Sequence, residues 1–573
     1  MALGNNIFFG PFLRLVLIGT LVYQTSFGQN LESIGKEKPV TVSGGVSASQ
    51  IFYTADGIES RRDPYSYFFT GNLNLSLYGW SVPLSFALSN QNRSFQQPFN
   101  QFGLHPTYKW VTGHFGYANM SFSPYTLSGH IFRGAGVELV PGKFHFSAMV
   151  GQLQRAVPVD TVRNAVPAFE RNGFGFKTGY RDGSDFAELS VFHGEDDVNS
   201  LIILPEDNSL LPEENLAIGL SLGKTILEKF SVQMEYGSSA ITRDIREERG
   251  NERTPFSSLG GLFTTRTSTS YYNAYKLGVN YNRSSYSLGV GYERIDPGYR
   301  THGAYYFNND LVNYTINGTT SFLDNKLSVS ANVGIQNDNL DGTKISTMRR
   351  FVGAVNASYA PTDRLSFSSS YSNFQSFTNI RSQFVDINQL TPYDNLDTLK
   401  FTQITQSINV GGNYSLKATK EQRQFIFINV SIQDAAEKQS QVTENSGSQF
   451  YNVNTSYSLS FIPTNLTLSF TYNINQNKIP SMNLFTHGPT ASVNKALLER
   501  KLRLTLSTSY NTTSLEGKTQ NSVTNIRSNI SYLLAKKHNL GLSLMAVNRN
   551  TRIESGPTGF TEYTGTLSYN YSF

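Results

Sequence analysis

The chain contains no cysteine, which excludes disulfides, thiolate metal sites and a lipid-modified N-terminal cysteine. It is also short of charge. Asp, Glu, Lys and Arg make up 16% of its 573 residues, against about a quarter in ordinary soluble domains. Beyond residue 28, no apolar run reaches the roughly 18 residues that a membrane helix needs. The formal net charge of +5 is too weak to imply a nucleic-acid partner. Tryptophan occurs only twice, yet aromatic residues reach 13% through 40 Phe and 32 Tyr. Abundant aromatics with little charge and no helical span is the profile of a transmembrane β-barrel, where outward apolar residues alternate with polar ones facing the lumen.

The N-terminus reads as a secretory signal. Arg14 precedes the apolar run LVLIGTLVY, and Ser26 and Gly28 are the small residues expected before a cleavage at Gln29. Residues 1–28 are thus a predicted signal peptide, 29–38 a short periplasmic segment and 39–573 a barrel.

Alternation of apolar and polar residues runs through the chain. In NLTLSFTYNIN, Leu466, Leu468 and Phe470 fall on one face and Thr467 and Ser469 on the other; in KFSVQMEYG, Phe230, Val232 and Met234 oppose Gln233 and Glu235. Period two is a strand with one apolar face. The connections alternate as well. Short gaps such as Pro141–Gly142, Asn282–Ser284, Ile462–Thr464 and Leu497–Glu499 interleave with longer ones, among them 195–214, 242–267, 377–401, 476–481 and 514–520. SPYTLSGH is of intermediate length. Short periplasmic turns and longer extracellular loops produce this rhythm. The count is about 26 antiparallel strands with both termini periplasmic, or 24 if one weak hairpin is lost; the weakest strands are TYKW and the one around THGPTASVNKAL.

The final strand ends in TGTLSYNYSF, which places Leu567, Tyr569, Tyr571 and Phe573 on one side. An alternating aromatic last strand ending in Phe resembles the signal read by the barrel-assembly machinery, with Tyr569, Tyr571 and Phe573 as its carriers. The stretch QPFNQFGLHPTYKWVTGHFGYANMSFSPYTLSGHIFRGAGVELVPGKFHFSAMVG resembles uncharacterised outer-membrane β-barrel proteins of Bacteroidota, most strongly over residues 80–155. The resemblance implies the membrane and the lineage; it brings no activity and no site residues.

Candidate chemistry is sparse. His105, His114, His130 and His145 fall on different strands or loops without HxH or HxxxH spacing, which favours interfacial or loop histidines over a metal site. If Pro141–Gly142 is a two-residue turn, Glu138 sits directly opposite His145 and forms a lumen pair. No Ser is placed beside a His with an orienting carboxylate, so no enzyme activity and no cofactor are expected. The loop 195–214 carries seven acids without D-x-D-x-D-G spacing and reads as solvated rather than calcium-binding. At its centre Leu201, Ile202, Ile203 and Leu204 are four apolar residues in a row, which fits a loop that narrows the pore or docks a partner. The expected function is an outer-membrane channel or transporter. The alternative is a barrel subunit of a secretion or assembly complex that docks a second outer-membrane or surface protein. Expected partners are outer-membrane lipid, lipopolysaccharide and the barrel-assembly machinery.

Overall fold

A computed structural model describes residues 40–573 apart from 78, 91–99, 160–166, 203–209, 251–260, 306, 344–348, 374–375, 379–401, 437–446, 480–481 and 553–558. Every strand pairs antiparallel with its sequence neighbours. The first, Val40–Asp56, pairs on one side with Tyr65–Leu77 and on the other with the last, Gly559–Ser572. The sheet therefore closes on itself and leaves no edge. Two strands are interrupted. Gln101–Leu104 and Thr107–Tyr108 share the same two neighbours, as Leu365–Ser372 and Ser376–Thr378 share one. Counting each as one gives a closed barrel of 26 strands, as the spacing of turns predicts. Among the described residues there is no α-helix, only the single turn Val198–Ser200.

The TYKW strand survives as the fragment Thr107–Tyr108, and the strand around THGPTASVNKAL is complete as Met482–Leu497. Two expected long loops are not loops. Ile479 pairs with Met482, so that connection is two residues rather than 476–481. Leu515 pairs with Lys518, and the turn between them places Glu516 at φ 48° and Gly517 at φ 83°. Two consecutive residues of positive φ make the type I′ turn whose twist matches the strands it joins.

Alternation sorts the faces. Phe230, Met234, Leu468 and Phe470 are exposed on the outside of the wall. On the opposite face, Glu235 accepts a hydrogen bond from Ser221 at 2.5 Å, Thr467 lies 3.0 Å from Ser460, and Ser469 donates to Ser458 at 3.3 Å. The outer belt continues through Leu506, Ile526, Leu544 and Leu567. An apolar belt on the outside of a closed barrel is what a bilayer requires of it. Val40 and Ser572 lie at the same rim, called here the terminal rim; the long connections gather at the far rim.

Candidate functional site: a half-filled lumen

The lumen has two unlike walls. Several strands between residues 111 and 295 place glycine at inward positions, and two far-rim segments, 122–127 and 296–310, fold into the space this leaves. A Cβ on Gly136 would lie 2.6 Å from the Met120 sulfur, one on Gly175 2.8 Å from the Phe122 ring, and one on Gly219 2.8 Å from Ser123 Oγ. One on Gly237 would lie 2.4 Å from Tyr125 Cβ. The 122–127 segment thus crosses several neighbouring strands in direct contact with their backbone. It is a tight loop, with Phe122 N–H donating to the Leu127 carbonyl at 2.8 Å.

The second segment locks the first. Tyr299 Oη donates to the Tyr125 carbonyl at 2.6 Å and Thr301 Oγ1 to the Thr126 carbonyl at 3.0 Å; Ser128 N–H donates to the Gly303 carbonyl at 2.8 Å. Ser239 on the wall donates to the Arg300 carbonyl at 2.7 Å, and His302 N–H donates to Asn215 Oδ1 at 3.0 Å. Tyr125, Tyr299 and Phe307 pack on Ala274, Ile295 and Leu311. Met120, Phe122 and Leu127 pack on Phe132, Leu153 and Phe192. Among the described residues, Tyr299, Phe132, Phe192, Leu127 and Leu153 are some of the largest fully buried side chains, and they lie inside the barrel near the far rim.

An ion network fastens the edge of this plug. Arg171 donates to both Asp196 oxygens, at 2.7 and 2.9 Å, and reaches Glu213 at 3.4 Å. Glu213 also accepts from Arg300 and lies 3.2 Å from His302 Nε2. Burial pushes the Glu213 carboxyl up, but the hydrogen bonds and charges of His302 and Arg300 outweigh it and hold the group at about 2. His302 Nδ1 faces the Gly194 carbonyl at 3.2 Å. Both ring nitrogens therefore face acceptors; burial, together with Arg171, nonetheless pushes the His302 imidazole below its ordinary value, against the opposite pull of Glu213.

Beneath the plug the same wall carries paired charges. Arg181 donates to Glu188 at 2.9 Å, with Lys177 3.6 Å from the other oxygen, and Lys276 lies 3.8 Å from Glu293. The wall built by residues 327–572 is different. Register rows such as Ser458–Ser469–Ser492–Ser507 and Thr467–Asn494–Thr505–Asn529–Ser543 cross it strand by strand. Hydroxyls and amides bond along the rows, with Thr505 to Asn494 at 2.6 Å and Ser543 to Asn529 at 2.5 Å.

The predicted Glu138–His145 pair is not a cross-strand pair. The turn is longer than two residues: it spans Pro141–Phe144, closed by Phe144 N–H to the Pro141 carbonyl at 3.3 Å, while Val140 N–H turns to Trp110. Register then shifts by two, so Glu138 opposes Ser147 and His145 opposes Gly179. The near neighbour of Glu138 is His114, 3.9 Å away, whose Nδ1 lies 3.0 Å from His105 Nδ1. Leu201 is buried and Ile202 fully exposed; Ile203 and Leu204 lie outside the described residues. Tyr569, Tyr571 and Phe573 face outward at the closing seam. Tyr569 bonds His538 at 2.7 Å, the Tyr571 and Phe573 rings meet edge to face at 4.7 Å, and Phe573 N–H donates to the Gly44 carbonyl at 2.9 Å. The plug itself escapes a reading by alternation alone, but its signal is in the chain: GFGFKTG, GAG and IGLSLG spend inward positions on glycine, which weakens a strand unless something approaches closely.

One cluster could hold a cation. His193, Glu195 and Glu214 bring one ligand atom each within 4.8 Å of one another. Their register places them on the outer face, beside the patch where Phe263 covers Val191, Leu216 and Ala240.

No protein-family model and no curated protein matches the chain. Among solved structures it is similar to the FrpB iron transporter of Neisseria meningitidis in its apoprotein form, with 11% identity over 93% of this chain and 81% of that one and a TM-score of 0.37. It is also similar to the ferric yersiniabactin uptake receptor FyuA of Yersinia pestis, at 10% identity, 94% and 81% coverage and a TM-score of 0.36. The copper transporter OprC gives 10% identity, 94% and 81% coverage and a TM-score of 0.39. Likeness at this level says nothing about what this chain carries.

Proposed function

We propose that the chain is an outer-membrane channel or transporter whose pore is the half of the lumen left open by its own folded loops. The observation that carries this reading is the asymmetry of the lumen: an apolar plug locked against a glycine wall, facing a continuous wall of Ser, Thr and Asn. A barrel this wide leaves an aqueous passage unless something fills it. Here the filling is partial and one-sided, and the remaining surface is wettable. In this reading the terminal rim is periplasmic, the far rim extracellular, and residues 1–28 are removed on export. The aromatic seam of Tyr569, Tyr571 and Phe573 serves as the recognition signal for barrel assembly; deleting Phe573 should lower the yield of folded, heat-modifiable barrel.

The direct test is planar-bilayer recording of the purified barrel. Steady single-channel current is expected, and removal of residues 298–308 should raise it with the barrel still folded. A protein that carries no current before or after that deletion is not a channel of this kind.

A further inference from the structure

We infer that His193, Glu195 and Glu214 form a binding site for one divalent transition-metal ion, zinc by its ligand chemistry, on the outer face of the barrel at the far rim. This site stands apart from the channel reading and does not depend on it.

Register assembles the site at the ends of two strands, Asp185–Asp197 and Glu214–Ile226. Leu189 is exposed on the outer belt, and the same face of its strand continues through Val191, His193 and Glu195. His193 thus stands about 13 Å beyond Leu189 toward the far rim. Across the strand pair, Glu195 directly opposes Glu214 and His193 opposes Leu216. A strand puts residues i and i+2 on one face, so an imidazole and a carboxylate flank the carboxylate across the gap. His193 Nε2 lies 3.1 Å from Glu214 Oε1. One ligand atom from each of the three residues falls within 4.8 Å of the others. Ligands about 2.0–2.2 Å from a tetrahedral zinc are roughly 3.4 Å apart. The His193–Glu214 edge is already near that length, and the exposed Glu195 side chain has room to close the rest.

Charge balance points to a cation. Asp196 and Glu213, the chain neighbours of Glu195 and Glu214, turn inward and meet Arg171, Arg300 and His302. Glu195 and Glu214 turn outward. Among the described residues, no Lys or Arg nitrogen lies within ion-pair distance of either, and Glu214 has only His193. Arg266, on the loop that covers this patch, donates instead to the Glu247 carbonyl at 2.9 Å. Like charges directly opposite each other destabilise a strand pair. Glu214 is also buried, and a buried carboxylate needs a compensating charge. An imidazole carries no fixed positive charge to supply it; a divalent ion between the two carboxylates does.

The surroundings suit a metal. The Phe174 ring stacks on His193 with centroids 5.0 Å apart, and Phe263 covers Val191 and Leu216 beside it. Such an apolar collar fixes the imidazole and limits solvent access to the buried ligands. One ring nitrogen with two carboxylates fits zinc, whereas calcium and magnesium prefer oxygen ligands alone. Three protein ligands leave a fourth position, which opens outward on the Glu195 side.

The experiment uses the full barrel, stripped of metal by a chelator, with each variant first checked for heat-modifiable mobility. Titration calorimetry with zinc should show one strong site per chain, and calcium should not compete for it. Glu195→Gln changes an exposed side chain and should leave the fold intact; His193→Gln removes the nitrogen ligand. Each should weaken zinc binding at least as much as the roughly 10–100-fold that follows loss of a ligand's supporting partner. His487→Gln, on the wall of residues 327–572, should leave zinc binding unchanged. Because a ligand that binds only the folded state stabilises it, zinc should raise the urea midpoint of the wild type and not that of Glu195→Gln. Cobalt(II) as a probe should give the visible absorption of a four-coordinate ion in the wild type and lose it in His193→Gln. Zinc affinity that is the same in the wild type, Glu195→Gln and His193→Gln would overturn the site, as would calcium binding as tight as zinc. None of these readouts needs current, so the channel reading stands or falls separately on the bilayer recording.

Discussion

The wall formed by residues 111–322 and the wall formed by residues 327–572 have the same outside and opposite insides. Both present Phe, Leu, Ile and Met to the outside at alternate positions, because both meet the same apolar surroundings. Inside, the first wall gives up side-chain volume. Its glycines let the side chains of 122–127 approach the wall's backbone within contact distance, and the buried rings of Phe122, Tyr125 and Tyr299 fill what is left. The second wall keeps short polar side chains at every inward position of its Ser and Asn rows. Several of them bond one another along the wall, and the rows offer little apolar surface to attract a loop. One of its far-rim connections, 516–517, is a tight turn. Whether a lumen is filled or wet is decided locally, by what each strand places at its inward positions.

This contrast can be broken by substitution. The outer belts should behave alike: Met234→Arg on the first wall and Phe470→Arg on the second should each cost roughly 2–4 kcal/mol at mid-bilayer depth, measured by urea unfolding in lipid vesicles. The inward positions should not. Gly237→Leu forces Cβ against Tyr125 and should cost about 1–3 kcal/mol by overpacking, or expel the loop and raise conductance. Ser492→Leu on the second wall should do neither. Equal responses at Gly237 and Ser492 would dissolve the distinction between the walls.

Finer changes sharpen it. Tyr299→Phe removes one buried hydrogen bond to the Tyr125 carbonyl and leaves that acceptor unpaired, a loss of about 1–3 kcal/mol in loop docking. It should show as flickering current with the open-channel level unchanged. The smallest effect is pH dependence. Glu213 is held at about 2 in the folded protein, below the ordinary 4.5. Its contribution is full above the ordinary value and is lost as pH falls through about 2. Conductance should therefore hold steady on acidification to about pH 5 and drift upward below that. A plug that loosens between pH 8 and 6 would point away from Glu213.

Much of the fold is legible in the chain because a barrel strand has only two faces. Leu466, Leu468 and Phe470 announce the outside by period alone, and the interleaving of short and long gaps announces closure. Register is less legible. Pro141–Gly142 reads as a two-residue turn, but the backbone closes over Pro141–Phe144, and a shift of two residues replaces His145 by Ser147 as the partner of Glu138. The shift keeps the face and changes the neighbour, so no alternation pattern could reveal it.

By itself, then, the sequence determined the class of fold, a strand count of 24 to 26 and the belt that faces outward. All three depend on the local pattern of residue types along the chain. Tertiary structure alone decided that SPYTLSGH turns inward and that Tyr299 reaches 174 residues back in the chain to hold it. These depend on which strands lie side by side and at what height, and that is fixed only when Gly559–Ser572 closes on Val40–Asp56.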